Sequence, residues 1–562
     1  MPYDVLIKNG TVVDGTGSPR YRADVAITDG SISEIGKVNA RAAQVVDATD
    51  LIVAPGIIDH HTHYDAQICW DPLITCSSWH GVTSVIMGNC GVGLAPCRPE
   101  ARDIAAWDLV NVEGIPFDVL SEGLTWDWVS FPDYLDAAQT RGSGINLGFM
   151  AALSPFRHYV MGEESMDRAA TADESRSIAA LLREAMNAGA FGFSMTNGPQ
   201  HVGYEGRPLA SRLASRDELK VYSNVLRELR RGTIQLALND TPSMVSDSDY
   251  ALLELLLTES GRPLNGLALL QRDDDPEACA KTLRQTAPLL ERGLVAQVSA
   301  RPLVIQFNLR SPFLFANLPG WRPAFNQPAE TQKRLYLEPA FRQEFRDELK
   351  RPRLFSDATL WDRLKIKDVG SPALRSFQWK TVADIAQQRG KDPLDTFLDL
   401  AIEDELDTQF TMEVFNANED RIPELITDPR TMIGLSDGGA HVDTLCDAGY
   451  GTYLLGTWVR EKGAMTLEYA VKRLTSEPAD FYGIAGRGRV ATGMAADIMI
   501  FDAETVGSDK LPEVRNDLPG GGQRLVVQAH GVKYTLVNGQ LLYDEGCHTG
   551  AMPGRVLRSG AG

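Results

Sequence analysis

Leu51-Ile-Val-Ala-Pro-Gly-Ile-Ile-Asp-His-His-Thr-His63 carries an apolar run directly into a histidine cluster. The aliphatic stretch up to Ile58 reads as a buried strand. Side chains at i and i+2 of a strand share a face, so His61 and His63 point the same way where the strand leaves the core. Two converging neutral imidazoles are a natural pair of metal ligands, suited to zinc and its neighbours. The plainer alternative is a turn that happens to be rich in histidine. Against it, the chain has nine histidines in all, and three of them (His60, His61 and His63) fall within four positions.

Working outward, apolar strands alternate with helical stretches, the pattern of a parallel sheet covered by helices. Strands are expected to begin near Ile57, Val82, Ile145, Ala190, Ile234, Leu267, Leu294 and Met432. Helices are expected over Asp173 to Asn187, from its 3.6 spacing, and over Asp217 to Arg230. Eight strands is the number of a closed (β/α)8 TIM-like barrel, here assigned to residues 55–482. Residues 310–375, rich in Pro, aromatic and charged residues, read as an insertion or a covering of the active site. Residues 1–54 read as short strands separated by Gly and Asp turns, among them Asp4 to Gly10, Thr11 to Asp14 and Asp24 to Gly30. Residues 483–562 resemble them, since Val532-Lys-Tyr-Thr-Leu-Val-Asn-Gly539 mirrors Ile7-Lys-Asn-Gly10. One small β domain built from both termini follows, with a frayed tail at the end. The fold class is therefore α/β.

Composition narrows the function. Across 562 residues, 43% hydrophobic and 23% charged residues describe an ordinary globular protein. A net charge of −20 argues against nucleic acid and anionic membrane as partners. No apolar run approaches the ~18 residues that cross a bilayer, and Met1-Pro-Tyr-Asp-Val-Leu-Ile-Lys8 begins as a strand rather than a signal peptide. The seven cysteines are scattered without the spacing of a disulfide scaffold. Reduced thiols and a cytoplasmic location are expected. The expected partner is a small-molecule substrate, and size and charge are compatible with a monomer or a homo-oligomer.

Two further strand ends carry chemistry. Gly81-Val-Thr-Ser-Val-Ile-Met-Gly88 leads to Asn89-Cys90-Gly91, placing Cys90 where a barrel strand meets its top loop. As a thiolate it is a strong zinc ligand; alone, a cysteine is more often a small buried residue. Thr431-Met-Ile-Gly-Leu-Ser436 delivers Asp437-Gly-Gly-Ala-His441. An acid there can bind metal and shuttle protons, whereas an Asp-Gly pair is also a common turn. The glycines before His441 suggest a loop folding that imidazole back over the site.

These residues identify a resemblance. The chain resembles the amidohydrolase superfamily and, within it, the N-acyl-D-amino-acid deacylase (D-aminoacylase) group, over nearly its whole length. The resemblance rests on Pro55 to Asp65, His80-Gly-Val-Thr83, Met87-Gly-Asn-Cys-Gly91, Val160-Met-Gly162, Gly189-Ala-Phe-Gly-Phe-Ser194, Ser436-Asp-Gly438, Leu474-Thr-Ser-Glu-Pro-Ala479 and Gly486-Arg-Gly488. It implies a β-sandwich for the terminal domain. It also implies a metal centre that includes His61, His63 and Cys90, with Asp437 as general acid/base and a further candidate ligand. The implied reaction hydrolyses a non-peptide C–N bond. A metal acidifies water and polarises the carbonyl, while Asp437 takes the proton and returns it to the leaving nitrogen.

The chain also departs from the family pattern. Relatives place metal-binding histidines after the fifth and sixth strands, but Gln235-Leu-Ala-Leu-Asn-Asp240 and Leu267-Ala-Leu-Leu-Gln-Arg272 contain none. Asn239, Asp240 or Gln271 can offer an oxygen instead. No strand-four lysine is present to bridge two metals, so one Zn(2+) is expected rather than two, with another divalent ion as the alternative. His201, in Ser194-Met-Thr-Asn-Gly-Pro-Gln-His201, is expected to stabilise the carbonyl oxygen, to complete the coordination shell, or to be an ordinary loop histidine. The His-Pro-Arg with which similar deacylases hold a substrate carboxylate is absent after Asp437. Arg157, Arg272 and Asn239 are the candidate substrate contacts, unless the substrate has no free α-carboxylate. A cyclic amide, lactone or ester hydrolase is the rival reading, followed by a catalytically silent barrel that only binds ligand.

Overall fold

The computed structural model describes residues 3–238, 241–315, 318–325, 327–351 and 359–560. The chain divides into two compact units, one of residues 1–301, 418–442 and 446–562, the other of Pro302–Ala417 with Asp443–Leu445.

The first unit is organised by eight short strands: β1 (Ile57–Asp59), β2 (Val82–Met87), β3 (Asn146–Phe149), β4 (Gly192–Thr196), β5 (Thr233–Ala237), β6 (Leu264–Leu269), β7 (Leu294–Val298) and β8 (Thr431–Ile433). They pair in parallel and in chain order. β1 to β3 form one ladder, β4 to β8 another, and Ala151–Ala152, just beyond β3, pairs with β4. A parallel bridge between Thr62 and Gly438 links the chain leaving β1 to the chain leaving β8. Every residue of β2 and of β4 is buried, as expected of strands covered on both faces.

The connecting helices start where the sequence supplies caps. Ala172–Ala188 is preceded by Thr171, whose side chain accepts from the Glu174 amide while Glu174 reaches back; Ser215 and Glu218 do the same for Arg216–Leu229. Each such box satisfies two otherwise orphaned amides, a contribution of about 1 kcal/mol.

Strands from both chain ends share one nine-stranded sheet. Its path runs Cys547–His548, Gln540–Asp544, Val532–Val537, Ile498–Phe501, Ile52–Pro55, Tyr3–Val12, Tyr21–Thr28 and Ser31–Gly36, with Ala42–Asp47 also paired to Tyr3–Val12. In hydrogen-bonding terms this is one continuous sheet rather than the two separate layers a sandwich implies. Val5, Ile7, Val25, Ile27, Ile498, Ile500 and Leu536 bury their side chains together on it. The expected turn at Asn9-Gly10 is instead a bulge inside a single strand, with a register shift between Ile7 and Gly10 and Asn9 at φ 63°. Asn tolerates that left-handed backbone, and a Cβ at Gly10 would lie 2.5 Å from Val53.

The second unit has its own antiparallel sheet, Leu303–Phe307, Gln409–Phe415 and Lys365–Asp368, and an aromatic core of Phe315, Trp321, Phe345, Phe397 and Phe410. It contains the expected 310–375 insertion but is wider, because the sheet needs strands from both sides of that segment.

Candidate metal centre

The backbone at the ends of β1, β2 and β8 decides which side chains meet. Immediately after β1, successive residues alternate. His60 turns outward, its Nε2 3.1 Å from the Ile433 carbonyl oxygen, with its ring stacked on Tyr482. His61 and His63 turn to the opposite side, their ring centroids 5.4 Å apart. Cys90 follows β2 with φ 55°, and Asp437 and His441 follow β8 with φ 45° and 49°. Such left-handed positions cost non-glycine residues of order 1–3 kcal/mol each, and they cluster where a side chain must be aimed.

One ligand atom from each of His61, His63 and Cys90 lies within 4.8 Å of the others, and all three residues are buried. His61 Nε2 is 3.5 Å from Cys90 Sγ. Asp437 Oδ1 is 3.2 Å from His61 Nε2 and 3.8 Å from His63 Nε2. Nitrogen and sulfur donors around one tetrahedral zinc stand roughly 3.3–3.6 Å apart, so the spacing fits such an ion.

Each donor is held from behind. His61 Nδ1 is 2.9 Å from Gln297 Oε1 on β7, which leaves Nε2 facing the centre. His63 Nδ1 is 3.2 Å from Glu113 Oε1, both residues being buried. The Cys90 amide donates to Gln235 Oε1 on β5 at 2.6 Å, and the next amide, that of Gly91, donates to Ser194 Oγ on β4 at 3.0 Å. Ser436 Oγ donates to the His61 carbonyl and accepts from the Gly438 amide, each at 3.0 Å, fixing the turn that presents Asp437.

The electrostatics favour a cation at the centre. Burial pushes the Glu113 carboxyl up to about 8. Burial also opposes the Cys90 thiolate, yet His61 and His63 bring it down to about 6. Asp437 is buried as well, but His63, His61 and His441 hold it well below the usual carboxylate range. Conversely, burial disfavours charge on His61 and His63, and Cys90 and Glu113 respectively overcome it, raising both rings. Anionic donors converging on two imidazoles at one buried point are the donor set of a divalent ion.

The other expected residues separate into three groups. His201 and His441 belong to this neighbourhood. His441 donates its amide to the Glu113 carbonyl, and its charge bears on both Asp437 and His201. The His201 Nδ1 is buried with no hydrogen-bond partner among the described residues, and burial, then His441 and His63, lower the ring to about 3. His201 is thus a neutral imidazole with a free edge.

Arg157 and Arg272 are committed elsewhere. Arg157 is fully buried, paired with Glu218 and donating to the Arg168 carbonyl at 2.8 Å. A guanidinium so spent cannot also receive a substrate, which corrects its expected role. Arg272 donates to both oxygens of Asp274, at 2.9 and 2.5 Å. Gln271 donates to the Arg272 carbonyl at 2.7 Å. The third group, Asn239 and Asp240, lies outside the described residues. Arg212, which sequence reasoning passed over, donates to the His201 carbonyl at 2.9 Å and has no carboxylate partner among the described residues.

Glu113, Gln235 and Gln297 were also missed. Glu113 carried one signal: it is the last residue of the helix Arg102–Glu113, where the helix dipole disfavours an acid. Carboxylates behind metal-ligating histidines typically account for about 10–100-fold in metal affinity. Glu113→Gln is accordingly expected to weaken zinc binding by about that factor while leaving the fold intact, as read by competition with a chromogenic chelator and by circular dichroism. Unchanged affinity would reduce Glu113 to a packing residue.

Comparison with known proteins places the chain in a family. The amidohydrolase family model matches residues 44–296 and 374–543. D-aminoacylase of Alcaligenes xylosoxydans xylosoxydans is 27% identical over 576 residues, covering 99% of this chain and 98% of that one. N-acyl-D-glutamate deacylase of the same organism is 26% identical, with coverages of 99% and 97%. The crystal structure of N-acyl-D-glutamate deacylase from Bordetella bronchiseptica is complexed with zinc and a phosphonate inhibitor that mimics the reaction's tetrahedral intermediate. It matches at a TM-score of 0.67 and 25% identity, covering 100% of both chains.

Proposed function

Because the chain belongs to the amidohydrolase family, we propose that it hydrolyses the amide bond of N-acyl-D-amino acids at a single zinc ion held by His61, His63 and Cys90. The observation that carries this reading is the meeting of those three donors with Asp437, whose Oδ1 lies 3.2 Å from His61 Nε2. The scaffold is read as a closed (β/α)8 barrel, supported by eight parallel strands in chain order and the Thr62–Gly438 bridge between its first and last members.

A divalent ion in this position supplies Lewis acidity, lowering the pKa of water and polarising a carbonyl. The chain's own groups do the rest. Asp437, ionised and aimed at the centre, accepts a proton from the attacking water and hands it to the departing nitrogen. The C–N bond breaks, giving a carboxylate and an amine. His201, neutral and with a free ring edge, is placed to donate to the carbonyl oxygen as negative charge develops there. Arg212, with no acidic partner among the described residues, takes the substrate carboxylate in place of the absent His-Pro-Arg. Glu113 and Gln297 keep the two histidine rings in the ligating tautomer.

The test is an assay panel of N-acyl-D- and N-acyl-L-amino acids, with a cyclic amide and a lactone beside them. It is run on native, chelated and zinc-restored protein alongside metal analysis. Hydrolysis of the D series, lost on chelation and regained with zinc, is the expected result. Turnover of the cyclic amide or lactone alone would move the activity to the rival class. A zinc-loaded protein that turns over nothing would leave only a ligand-binding barrel.

A further inference from the structure

We propose that Cys76 and Cys446 form a reversible disulfide site, closed by two-electron oxidation with a peroxide, that staples the connection following β8 to the loop between β1 and β2. The two sulfurs are 3.5 Å apart although 370 residues separate them in sequence. Neither takes part in the metal centre or in the reaction above. Both are free thiols, Cys76 buried and Cys446 half-buried, with Ala448, Val526 and Val527 packed around them.

The surroundings divide the labour between the two thiols. Cys76 is held well below the ordinary thiol range by the hydrogen bond with Cys446 and by nearby His80, against the opposing effect of burial, and the same bond pushes Cys446 up. Two guanidinium groups add positive charge: Arg524, which donates to Thr75 Oγ1 at 2.8 Å, bears on Cys76, and Arg301 bears on Cys446. Cys76 is thus the nucleophile, and Cys446 the thiol that keeps its proton and resolves.

The chemistry balances. The Cys76 thiolate attacks one peroxide oxygen, the O–O bond breaks, and a sulfenic acid and hydroxide result. The Cys446 sulfur then displaces the sulfenic oxygen, forming S–S and releasing water. Two thiols are oxidised and one peroxide is reduced to two waters. A disulfide bond of about 2.05 Å requires the sulfurs to approach by roughly 1.5 Å, a rotamer-scale adjustment. Cys446 lies on the same connection as Asp437 and His441, and the adjoining Gly449 sits directly against His80, where a Cβ would come within 2.9 Å of the ring. The link therefore pins the return from the catalytic turn onto the first barrel loop.

The test treats zinc-loaded full-length protein with hydrogen peroxide, blocks remaining thiols with N-ethylmaleimide, and maps peptides without reduction. A linked Cys76–Cys446 peptide, about 2 Da lighter than its separate parts, is expected. It should disappear with dithiothreitol and be accompanied by a higher thermal midpoint. Cys446→Ser and Cys76→Ser should each lose both the link and the midpoint shift, and reduced Cys446→Ser should turn over substrate like the wild type. If Cys76→Ser fails to fold, the half-buried Cys446→Ser and the wild-type map suffice. Full N-ethylmaleimide labelling of both cysteines after the exposed Cys547 has been oxidised would overturn the proposal. So would linkage of either to another cysteine, or a link without a change in midpoint.

Discussion

His63→Ala and His61→Ala are each expected to abolish turnover and to reduce bound zinc to background, whereas His60→Gln should keep both. Neighbouring histidines thus give opposite outcomes, and the alternation of the chain just beyond β1 is the reason. His61 and His63 present ring nitrogens to Cys90 and Asp437, while His60 faces Ile433 and Tyr482 on the other side. With no histidine on β5 or β6 to share the load, losing one imidazole removes one of three clustered donors. The effect should exceed the roughly 10–100-fold cost of losing an outer partner. His61→Ala also strands the buried Gln297 amide, a penalty of about 1–3 kcal/mol that should appear as a lowered thermal midpoint. Metal analysis, turnover and thermal melts on the three variants decide the matter. Zinc retained at wild-type stoichiometry by His63→Ala would place the ion elsewhere.

The readable parts of the fold were those whose signal is local. Continuous apolar runs such as Val82–Met87 mark strands, and the 3.6-residue spacing over Asp173 to Asn187 marks the helix observed at Ala172–Ala188, because both signals lie in adjacent residues. The errors arose at glycines. Gly10 reads as the end of a strand, yet it sits at a register shift inside one, and the strand expected to begin near Leu267 begins at Leu264, with a register shift across Gly266. Sequence pattern cannot distinguish a turn glycine from a bulge glycine when the pairing strand is remote.

The site was legible to the same extent. His61, His63, Cys90 and Asp437 each follow a strand that local pattern reveals, so the expected order of parallel strands, together with the family resemblance, brings them to one end of the sheet. Supporting residues were hidden because their partners are far away in the chain. Gln297 is 236 residues from His61, and nothing near it announces that role. Arg157 looked available because Glu218, 61 residues on, was not visible as its partner. Charged residues can be assigned as free or spent only when the fold shows what they already hold.

Asp437→Asn is expected to retain zinc and lose about 10²–10⁴-fold in kcat, the usual contribution of a positioned general acid/base. Three features separate this from a metal-binding effect. The clustered donors are His61, His63 and Cys90, so the ion survives the substitution. The turn that presents residue 437 is fixed by Ser436 and Gly438 rather than by the carboxylate, so Asn adopts the same place. Asp tolerates the φ of 45° at this position, and Asn does so equally well. What Asn lacks is the ability to take a proton from water and return it to nitrogen. KM should therefore change far less than kcat, because binding belongs to other groups. Substrates with better leaving amines should suffer less, since they need less protonation as the bond breaks. Near-normal kcat in a zinc-loaded Asp437→Asn enzyme would remove Asp437 from proton transfer and leave the neutral ring of His201 as the next group to test.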